Sequence, residues 1–119
     1  MTRKILIIDD DTELCEELSQ ILQDQGYLVD LAYDGRSGEK KIDHNQYDIV
    51  ILDYKLPGEN GGEVLKRIKA KKPGLAVFIV SGRPQLEKYL EEEKLSRLVA
   101  GVMNKPFDVE VLLAKIKTP

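Results

Sequence analysis

Short apolar runs of strand length alternate with segments of helical period from one end of the chain to the other. The runs that begin at Lys4 and at Asp48 are apolar almost throughout, as buried strands are. Segments between the runs carry apolar residues at the spacing of one helix face. This alternation predicts a parallel sheet, because each parallel strand needs a crossover to reach the next. The predicted strands are Lys4–Ile8, Tyr27–Ala32, Asp48–Leu52, Leu75–Val80 and Leu98–Met103.

Five helical segments fill the intervals, and capping or turn residues mark their ends. Asp10 or Asp11 is expected to cap the first helix, with Glu13 completing a capping box to Asp10 and Gly26 ending the helix. The second helix is predicted over Asp34–Asn45. The other three are predicted around Val64, Leu65 and Ile68, over Pro84–Leu95, and after Asp108, where Val109, Leu112, Leu113 and Ile116 form the apolar face.

Five strands alternating with five helices predict an α/β fold with one doubly wound parallel sheet and helices on both faces. Right-handed crossovers leave few topologies, and the strand order 2-1-3-4-5 of flavodoxin-like folds is the common one at this size. Asp30 suits a strand at the edge of the sheet. A chain of 119 residues has room for one such domain, so residues 1–119 are predicted to be a single unit.

The composition excludes several classes of protein. Apolar residues make up 42% and charged residues 33%, a globular balance. The apolar runs are too short to cross a bilayer, and an N-terminus that turns acidic at Asp9 is not a signal peptide, so we expect a cytoplasmic domain without membrane contact. A net charge of -3 argues against direct contact with nucleic acid. The basic run Lys66–Lys72 is interpreted as the solvated face of a helix.

Neither Cys15 nor His44 is expected to carry chemistry. A single cysteine excludes an internal disulfide and a zinc cluster, so Cys15 is predicted to be a small core residue. His44, the only histidine, lies in a polar stretch and is predicted to be a surface residue.

Polar side chains follow four of the five predicted strands. Asp9 and Asp10 come after the first strand, Asp53 after the third, Ser81 after the fourth and Lys105 after the fifth. In an open parallel sheet, ligands bind outside the carboxyl ends of the strands, where the strand order reverses. Three carboxylates, a hydroxyl and an ammonium group are therefore expected to meet at one edge.

These groups suit a metal-assisted phosphoryl transfer. Crowded aspartates repel one another unless a cation neutralises them, and carboxylate oxygens with water and a phosphate oxygen suit Mg²⁺. Lys105 can pair with a phosphoryl oxygen, and Ser81 can donate a hydrogen bond to another. Asp53 is then a carboxylate nucleophile that forms an aspartyl-phosphate.

The chain resembles the receiver domain of two-component response regulators over essentially its whole length. The matching pieces are short, but their order and spacing together are specific. They are Ile7-Ile8-Asp9-Asp10, Ile51-Leu52-Asp53, the loop Leu56-Pro57-Gly58 with Gly61, Ser81, and Lys105-Pro106-Phe107.

The resemblance implies a role for each of these site residues. Asp9 and Asp10 would hold Mg²⁺ together with Asp53 and the backbone carbonyl of Lys55, and Asp53 would be the phosphoacceptor. Ser81 would follow the phosphoryl group and Lys105 would be its charge partner. The resemblance also implies a cis bond between Lys105 and Pro106.

The resemblance further implies partners and a kind of activity. The phosphodonor would be a histidine kinase or a phosphotransfer protein, and a downstream partner or output domain would respond. Such a domain is a signalling phosphoprotein that catalyses its own phosphorylation and dephosphorylation, rather than an enzyme. Activation is expected to move the Ser81 loop and the face built from Pro84–Leu95, Leu98–Met103 and Asp108–Lys117, and two copies can pair through the same face (residues 84–117).

Three positions bear on switching and on signal lifetime. Receivers commonly carry Tyr or Phe three positions before the lysine, whereas this chain has Val102, so we expect a switch without the usual ring rotation. Lys55 and Arg83 follow Asp53 and Ser81 by two residues. Both are expected at the mouth of the site, where long basic side chains slow hydrolysis.

Three other interpretations of the sequence remain. A phosphatase of the haloacid-dehalogenase type would use Asp9 as its nucleophile, with Asp11 as the paired aspartate, but Glu13 replaces the usual Thr of that motif. A flavin-binding module would need a phosphate loop where this chain has three aspartates. A degenerate receiver would act only as a protein-interaction module, an interpretation that Val102 leaves open.

Overall fold

The computed structural model describes residues 2–82 and 85–117, and its main feature is a five-stranded parallel sheet. The spatial order is β2-β1-β3-β4-β5, and every neighbouring pair is parallel, as predicted. A separate two-stranded antiparallel hairpin, Lys55–Leu56 with Glu59–Asn60, follows β3. The five strands are β1 (Lys4–Ile8), β2 (Leu28–Ala32), β3 (Ile49–Asp53), β4 (Ala76–Ser81) and β5 (Gly101–Asn104).

Helices cover both faces of the sheet, so that the core is divided into two clusters. Because side chains alternate along a strand, Ile5 and Ile7 belong to one cluster, and Leu6 and Ile8 to the other. The first cluster includes buried residues of α1 and α5, and the second includes those of α2, α3 and α4. The helices are α1 (Thr12–Asp24), α2 (Gly35–His44), α3 (Gly61–Lys71), α4 (Leu86–Glu92) and α5 (Val109–Lys117).

The capping of α1 decides between Asp10 and Asp11. Asp11 is the N-cap, and its carboxylate accepts a hydrogen bond from the Leu14 amide at 3.1 Å. The expected box between Asp10 and Glu13 is therefore wrong. At the other end, Gly26 takes a φ of 94° directly after the C-cap and turns the chain towards β2, as predicted.

Helix α2 tolerates its glycines because one of them makes room for the sheet. A Cβ on Gly38 would lie 2.4 Å from Ile8 Cδ1, so the helix packs directly on β1 through this residue. Ile42 is fully buried one turn later. Packing on the sheet thus stabilises a helix whose sequence alone favours it weakly.

The predicted bounds of β1 to β4 and of α2 are correct to within one residue, and the larger differences lie in the last third of the chain. The fourth helix ends at Glu92 rather than Leu95, because Lys94 adopts a left-handed φ of 59° and sends Leu95 into the core. The predicted start of that helix, Pro84, lies outside the described residues. Residues 96–98 form a 3₁₀ turn, so β5 begins at Gly101 rather than Leu98. Val109 is 36% exposed, and α5 buries Leu112 and Ile116 instead.

The basic run on α3 lies on an exposed surface, as predicted, and two of its residues also pair with acidic residues of α2. Arg67 forms two hydrogen bonds to Glu39 of α2, at 2.9 and 3.0 Å. Lys71 lies 3.1 Å from Asp43 of the same helix. These charges join α2 to α3. In residues 2–82 and 85–117, no helix has the length and apolar character that crossing a membrane requires.

Candidate functional site

The carboxyl ends of the strands bring the predicted polar residues together. Asp9 follows β1 directly, and Asp53 and Ser81 are the last residues of β3 and β4. Each of Asp9, Asp10 and Asp53 offers one carboxylate oxygen, and these three oxygens lie within 4.8 Å of one another. The Lys105 ammonium group lies 2.9 Å from Asp9 Oδ2 and 3.4 Å from Asp53 Oδ2. The predicted cluster of carboxylates and lysine is therefore present.

Backbone contacts fix the carboxylates in place. The Asp9 amide donates to the carbonyl of Ala32 at the end of β2, at 3.0 Å, and Asp9 Oδ1 accepts from the Asp11 amide at 2.9 Å. Asp53 Oδ1 accepts from the Lys55 amide at 3.2 Å. The two buried carboxylates thus have orientations that the backbone defines.

Lys105 and Ser81 are connected through the main chain. The Lys105 amide donates to the Ser81 carbonyl at 3.0 Å, which continues the pairing of β4 with β5 past its last residue. The bond between Lys105 and Pro106 is cis, as the resemblance implied. The ends of β4 and β5 therefore hold Ser81 and Lys105 next to each other.

The three aspartates differ in their exposure to solvent. Asp9 and Asp53 are only 3% and 6% exposed, whereas Asp10 faces solvent. Ser81 is buried beside them at 3% exposure. The site therefore consists of buried polar groups at the edge of the sheet and one exposed carboxylate, that of Asp10.

Burial and charge perturb the two central ionisable groups. Burial raises the pKa of Asp53, and the nearby negative charge of Asp9 raises it further, against the Lys55 amide and the Lys105 charge. Burial lowers the pKa of Lys105, but its hydrogen bond to Asp9 and the charges of Asp53 and Asp9 outweigh that effect and leave the pKa raised. Lys105 therefore stays positive and acts as the internal counter-ion of the cluster.

Cys15 lies under the site without sharing its chemistry. Its thiol is fully buried and donates to the Asp9 carbonyl at 3.3 Å. Burial, followed by the charges of Asp9 and Asp11, raises the pKa of Cys15 to about 12. The thiol thus stays protonated at neutral pH, in agreement with its predicted role as a core residue. His44 is exposed at the end of α2, also as predicted.

The donor set fits a hard divalent cation. Three carboxylate oxygens from two strand ends can converge on one ion, and the exposed side of Asp10 leaves room for water ligands. Oxygen-only ligands of this kind favour Mg²⁺ or Ca²⁺ over zinc. That the Lys55 carbonyl joins this set remains a prediction. Arg83, the other residue expected at the mouth of the site, lies outside the described residues.

A cleft of about 600 Å³ opens beside the carboxylates and includes residues that the sequence does not single out. Tyr54 follows Asp53, and its ring packs edge-to-face on Tyr89 of α4, with 5.8 Å between ring centres. The sequence places Tyr89 only within the helix predicted over Pro84–Leu95, and nothing in its spacing points to a partner 35 positions away. Described residues that line the cleft are Tyr54, Lys55, Glu59, Asn60, Gly61, Ser81, Gly82 and Tyr89.

The sheet order is that of flavodoxin-like α/β folds, and the carboxylate–lysine cluster lies at the carboxyl ends of the strands. The model of the response regulator receiver domain matches residues 5–117 of this chain. The chain belongs to the response regulator receiver domain family.

Named relatives agree with this assignment. The chain is 37% identical over 117 residues to the transcriptional regulatory protein BasR of Escherichia coli K12, and 34% identical over 114 residues to DltR of Streptococcus agalactiae. Each alignment covers 96% of this chain and 50% of the relative, so the chain spans about half the length of these curated relatives.

Solved structures share the fold. A CheY-like receiver domain protein from Methanospirillum hungatei JF-1 superposes with a TM-score of 0.89 at 32% identity, covering 98% of this chain and 92% of its own. The response regulator TrrA of Thermotoga maritima, solved in complex with Mg(2+)-BeF, gives a TM-score of 0.86 at 30% identity, covering 98% and 97%.

Proposed function

We propose that this domain accepts a phosphoryl group on Asp53, with Mg²⁺ held by Asp9, Asp10, Asp53 and the backbone carbonyl of Lys55. The observation that carries the proposal is the position of Lys105, whose ammonium group lies 2.9 Å from Asp9 and 3.4 Å from Asp53. Phosphoryl transfer depends on fixed positive charge around the transferred oxygens. Lys105 supplies one such charge, and the three carboxylates have the ligands for a second.

The chain's own residues have distinct tasks in the transfer. An Asp53 carboxylate oxygen attacks phosphorus while the bond from phosphorus to the donor breaks, and the donor keeps the electron pair. Lys105 pairs with one phosphoryl oxygen and the Ser81 hydroxyl donates to another. When bound, Mg²⁺ neutralises the carboxylates and spreads the charge that develops on the phosphoryl group. The donor is a histidine kinase or a phosphotransfer protein, by analogy with the family.

The new charge is proposed to act on the remote face through Ser81 and Lys105. A phosphoryl group brings a charge of about -1.5 to -2 and three acceptors, which draw both residues inward. Because the Lys105 amide is bonded to the Ser81 carbonyl, the ends of β4 and β5 move together. Val102 is partly buried against the core and takes part as a packing residue. Pairing of two copies through residues 84–117 remains a prediction.

We infer a signalling phosphoprotein that modifies itself, rather than an enzyme that turns over an external substrate. A cytoplasmic site of action is part of this proposal. BasR and DltR are named as transcriptional regulators and are about twice as long, which supports an output in transcription through another segment or a partner. The net negative charge of this domain argues against direct contact between the domain itself and nucleic acid.

Labelling by acetyl phosphate with Mg²⁺ tests the proposal. Wild type should gain one phosphoryl group by intact mass, and Asp53→Asn should gain none while remaining folded, because the change is nearly isosteric. Asp24→Asn, which alters an exposed carboxylate at the far end of α1, is the matched control and should label like wild type. Equal labelling of Asp53→Asn and wild type would overturn the proposal.

The same experiment separates the alternatives. A phosphatase of the haloacid-dehalogenase type would lose its label in Asp9→Asn and keep it in Asp53→Asn. A degenerate receiver would acquire no label in any variant, a result that the intact cluster argues against.

A further inference from the structure

A carboxylate from the hairpin after β3 reaches the first residue of α2. Glu59 Oε2 accepts a hydrogen bond from the Gly35 amide at 2.7 Å. The adjacent Asp34 caps the same helix by accepting from the Ser37 amide at 2.7 Å. The first amides of a helix lack partners within it, and the helix dipole favours negative charge there. Glu59 therefore makes a charge-assisted hydrogen bond that connects two distant segments.

Glycine at position 35 is what allows this contact. A Cβ there would lie 2.6 Å from Glu59 Oε1 and 2.7 Å from Oε2, closer than real Cβ contacts. The Glu59 carboxylate thus rests directly against the start of α2. An alanine at this position would push the flexible end of Glu59 aside without touching the core.

The hairpin connects Glu59 to the carboxylate site. Glu59 is paired with Leu56, which is buried, and Asn60 is paired with Lys55. The Lys55 amide in turn donates to Asp53 Oδ1 at 3.2 Å. A displacement of Glu59 is therefore expected to move the paired strand, Lys55–Leu56, as well.

The contact between Glu59 and Gly35 also links the two strand ends, of β1 and β3, that carry the carboxylates. Asp9 is bonded through its amide to Ala32, which ends β2 three residues before Gly35. Asp53 is bonded to Lys55, which lies opposite the hairpin strand that contains Glu59. The contact between Glu59 and Gly35 closes this ring of connections, so it bears on the spacing between the β1 and β3 carboxylates.

We propose that Glu59 is a positioning residue that holds the hairpin on α2 and so sets the affinity of the carboxylate cluster for Mg²⁺. This inference rests on the proposed function and deepens its metal site. Residues that orient metal ligands from outside commonly change affinity by about tenfold or more when they are lost.

Two substitutions break the contact from opposite sides. Glu59→Ala removes the acceptor, and Gly35→Ala displaces it by filling its space. Each should weaken Mg²⁺ binding by about tenfold in titration calorimetry, and the double variant should be no weaker than either single one. Glu59→Gln keeps an acceptor oxygen and should bind Mg²⁺ nearly as wild type does. Glu63→Ala, an exposed change on α3, is the matched control and should have no effect.

Two further measurements separate positioning from loss of fold. The Gly35 amide proton should shift upfield in Glu59→Ala and stay near its wild-type position in Glu59→Gln. Urea denaturation should show that all variants are folded under the conditions of the Mg²⁺ titration. Affinities within about twofold of wild type in both alanine variants would overturn the inference. It would also fail if their losses added in the double variant, or if Glu59→Gln bound as weakly as Glu59→Ala.

The proposed function fails in a different way. If wild type binds no Mg²⁺, or if Asp53→Asn binds it unchanged, the metal site itself is wrong, and the role of Glu59 falls with it. If wild type binds Mg²⁺ through Asp53 while both alanine variants bind equally well, only the role of Glu59 is wrong.

Discussion

At the scale of single residues, Asp53 is held in a state that costs stability when no metal is bound. Burial and then the charge of Asp9 raise the pKa of Asp53 in the folded protein. A carboxyl with a raised pKa stabilises the fold fully below its unfolded value of about 3.9, and that contribution is lost as pH rises through the folded pKa. The ionised Asp53 therefore opposes folding at neutral pH.

Asp53→Asn should for this reason raise the thermal midpoint at pH 7 in metal-free buffer. The gain should shrink as pH falls through the folded pKa of Asp53 and should be lost below about pH 3.9, where Asp53 is protonated in both states. Scanning calorimetry at several pH values with a chelator checks this, with Asp24→Asn as the exposed control. A midpoint for Asp53→Asn that is unchanged or lowered at pH 7 would show that the carboxylates are fully compensated by Lys105.

Most residues of the carboxylate site can be recognised in the sequence because they follow the ends of predicted strands. Asp9, Asp10, Asp53 and Lys105 each follow a recognisable apolar run, so the amino-acid order alone predicts their convergence. Glu59 and Tyr89 cannot be found in this way. Their partners, Gly35 and Tyr54, are 24 and 35 positions distant, and no local pattern marks such contacts.

At the scale of elements, α2 shows how packing on the sheet overrides helix propensity. Gly38 is unfavourable in a helix, yet a Cβ there would meet Ile8 in the core at 2.4 Å. Glycine is therefore kept for space, and the contact between α2 and β1 depends on it.

Gly38→Ala should destabilise the domain by about 1–3 kcal/mol, although alanine is the better helix former. Gly74→Ala is the matched control, because nothing lies within 4 Å of a Cβ at that position. The control should be neutral or slightly stabilising through its effect on the unfolded chain. Urea denaturation of both variants measures the difference, and equal stabilities would mean that Ile8 has room to move aside.

The elements that are hardest to predict from the sequence are those that long-range contacts define. Uniformly apolar strands such as β1 and β3 are predictable to within a residue or so at each end. The region after α4 is not, because Lys94 turns left-handed so that Leu95 can enter the core, and this depends on a space in the core that local spacing does not reveal. Val109 follows the helical period yet stays at the surface, because α5 meets the sheet through Leu112 and Ile116.

At the scale of the whole molecule, we propose that the site acts on the face formed by α4, β5 and α5 through Ser81 and Lys105. Beryllofluoride with Mg²⁺, which mimics the phosphoryl group, should shift amide signals in β5 and α5 as well as those next to Asp53. Asp53→Asn under the same conditions should show neither set of shifts. Shifts confined to Asp53 and its immediate neighbours would show that binding is not transmitted to this face.

The most direct test of the central claim is to locate the phosphoryl group on the wild-type protein. After labelling with acetyl phosphate and Mg²⁺, the acyl phosphate can be trapped by borohydride reduction, and the modified residue identified by peptide mass spectrometry. We predict a single modified position, Asp53, whose label disappears when Mg²⁺ is chelated before the donor is added. A label on Asp9, or on any residue outside the carboxylate cluster, would contradict the assignment of Asp53 as the phosphoacceptor.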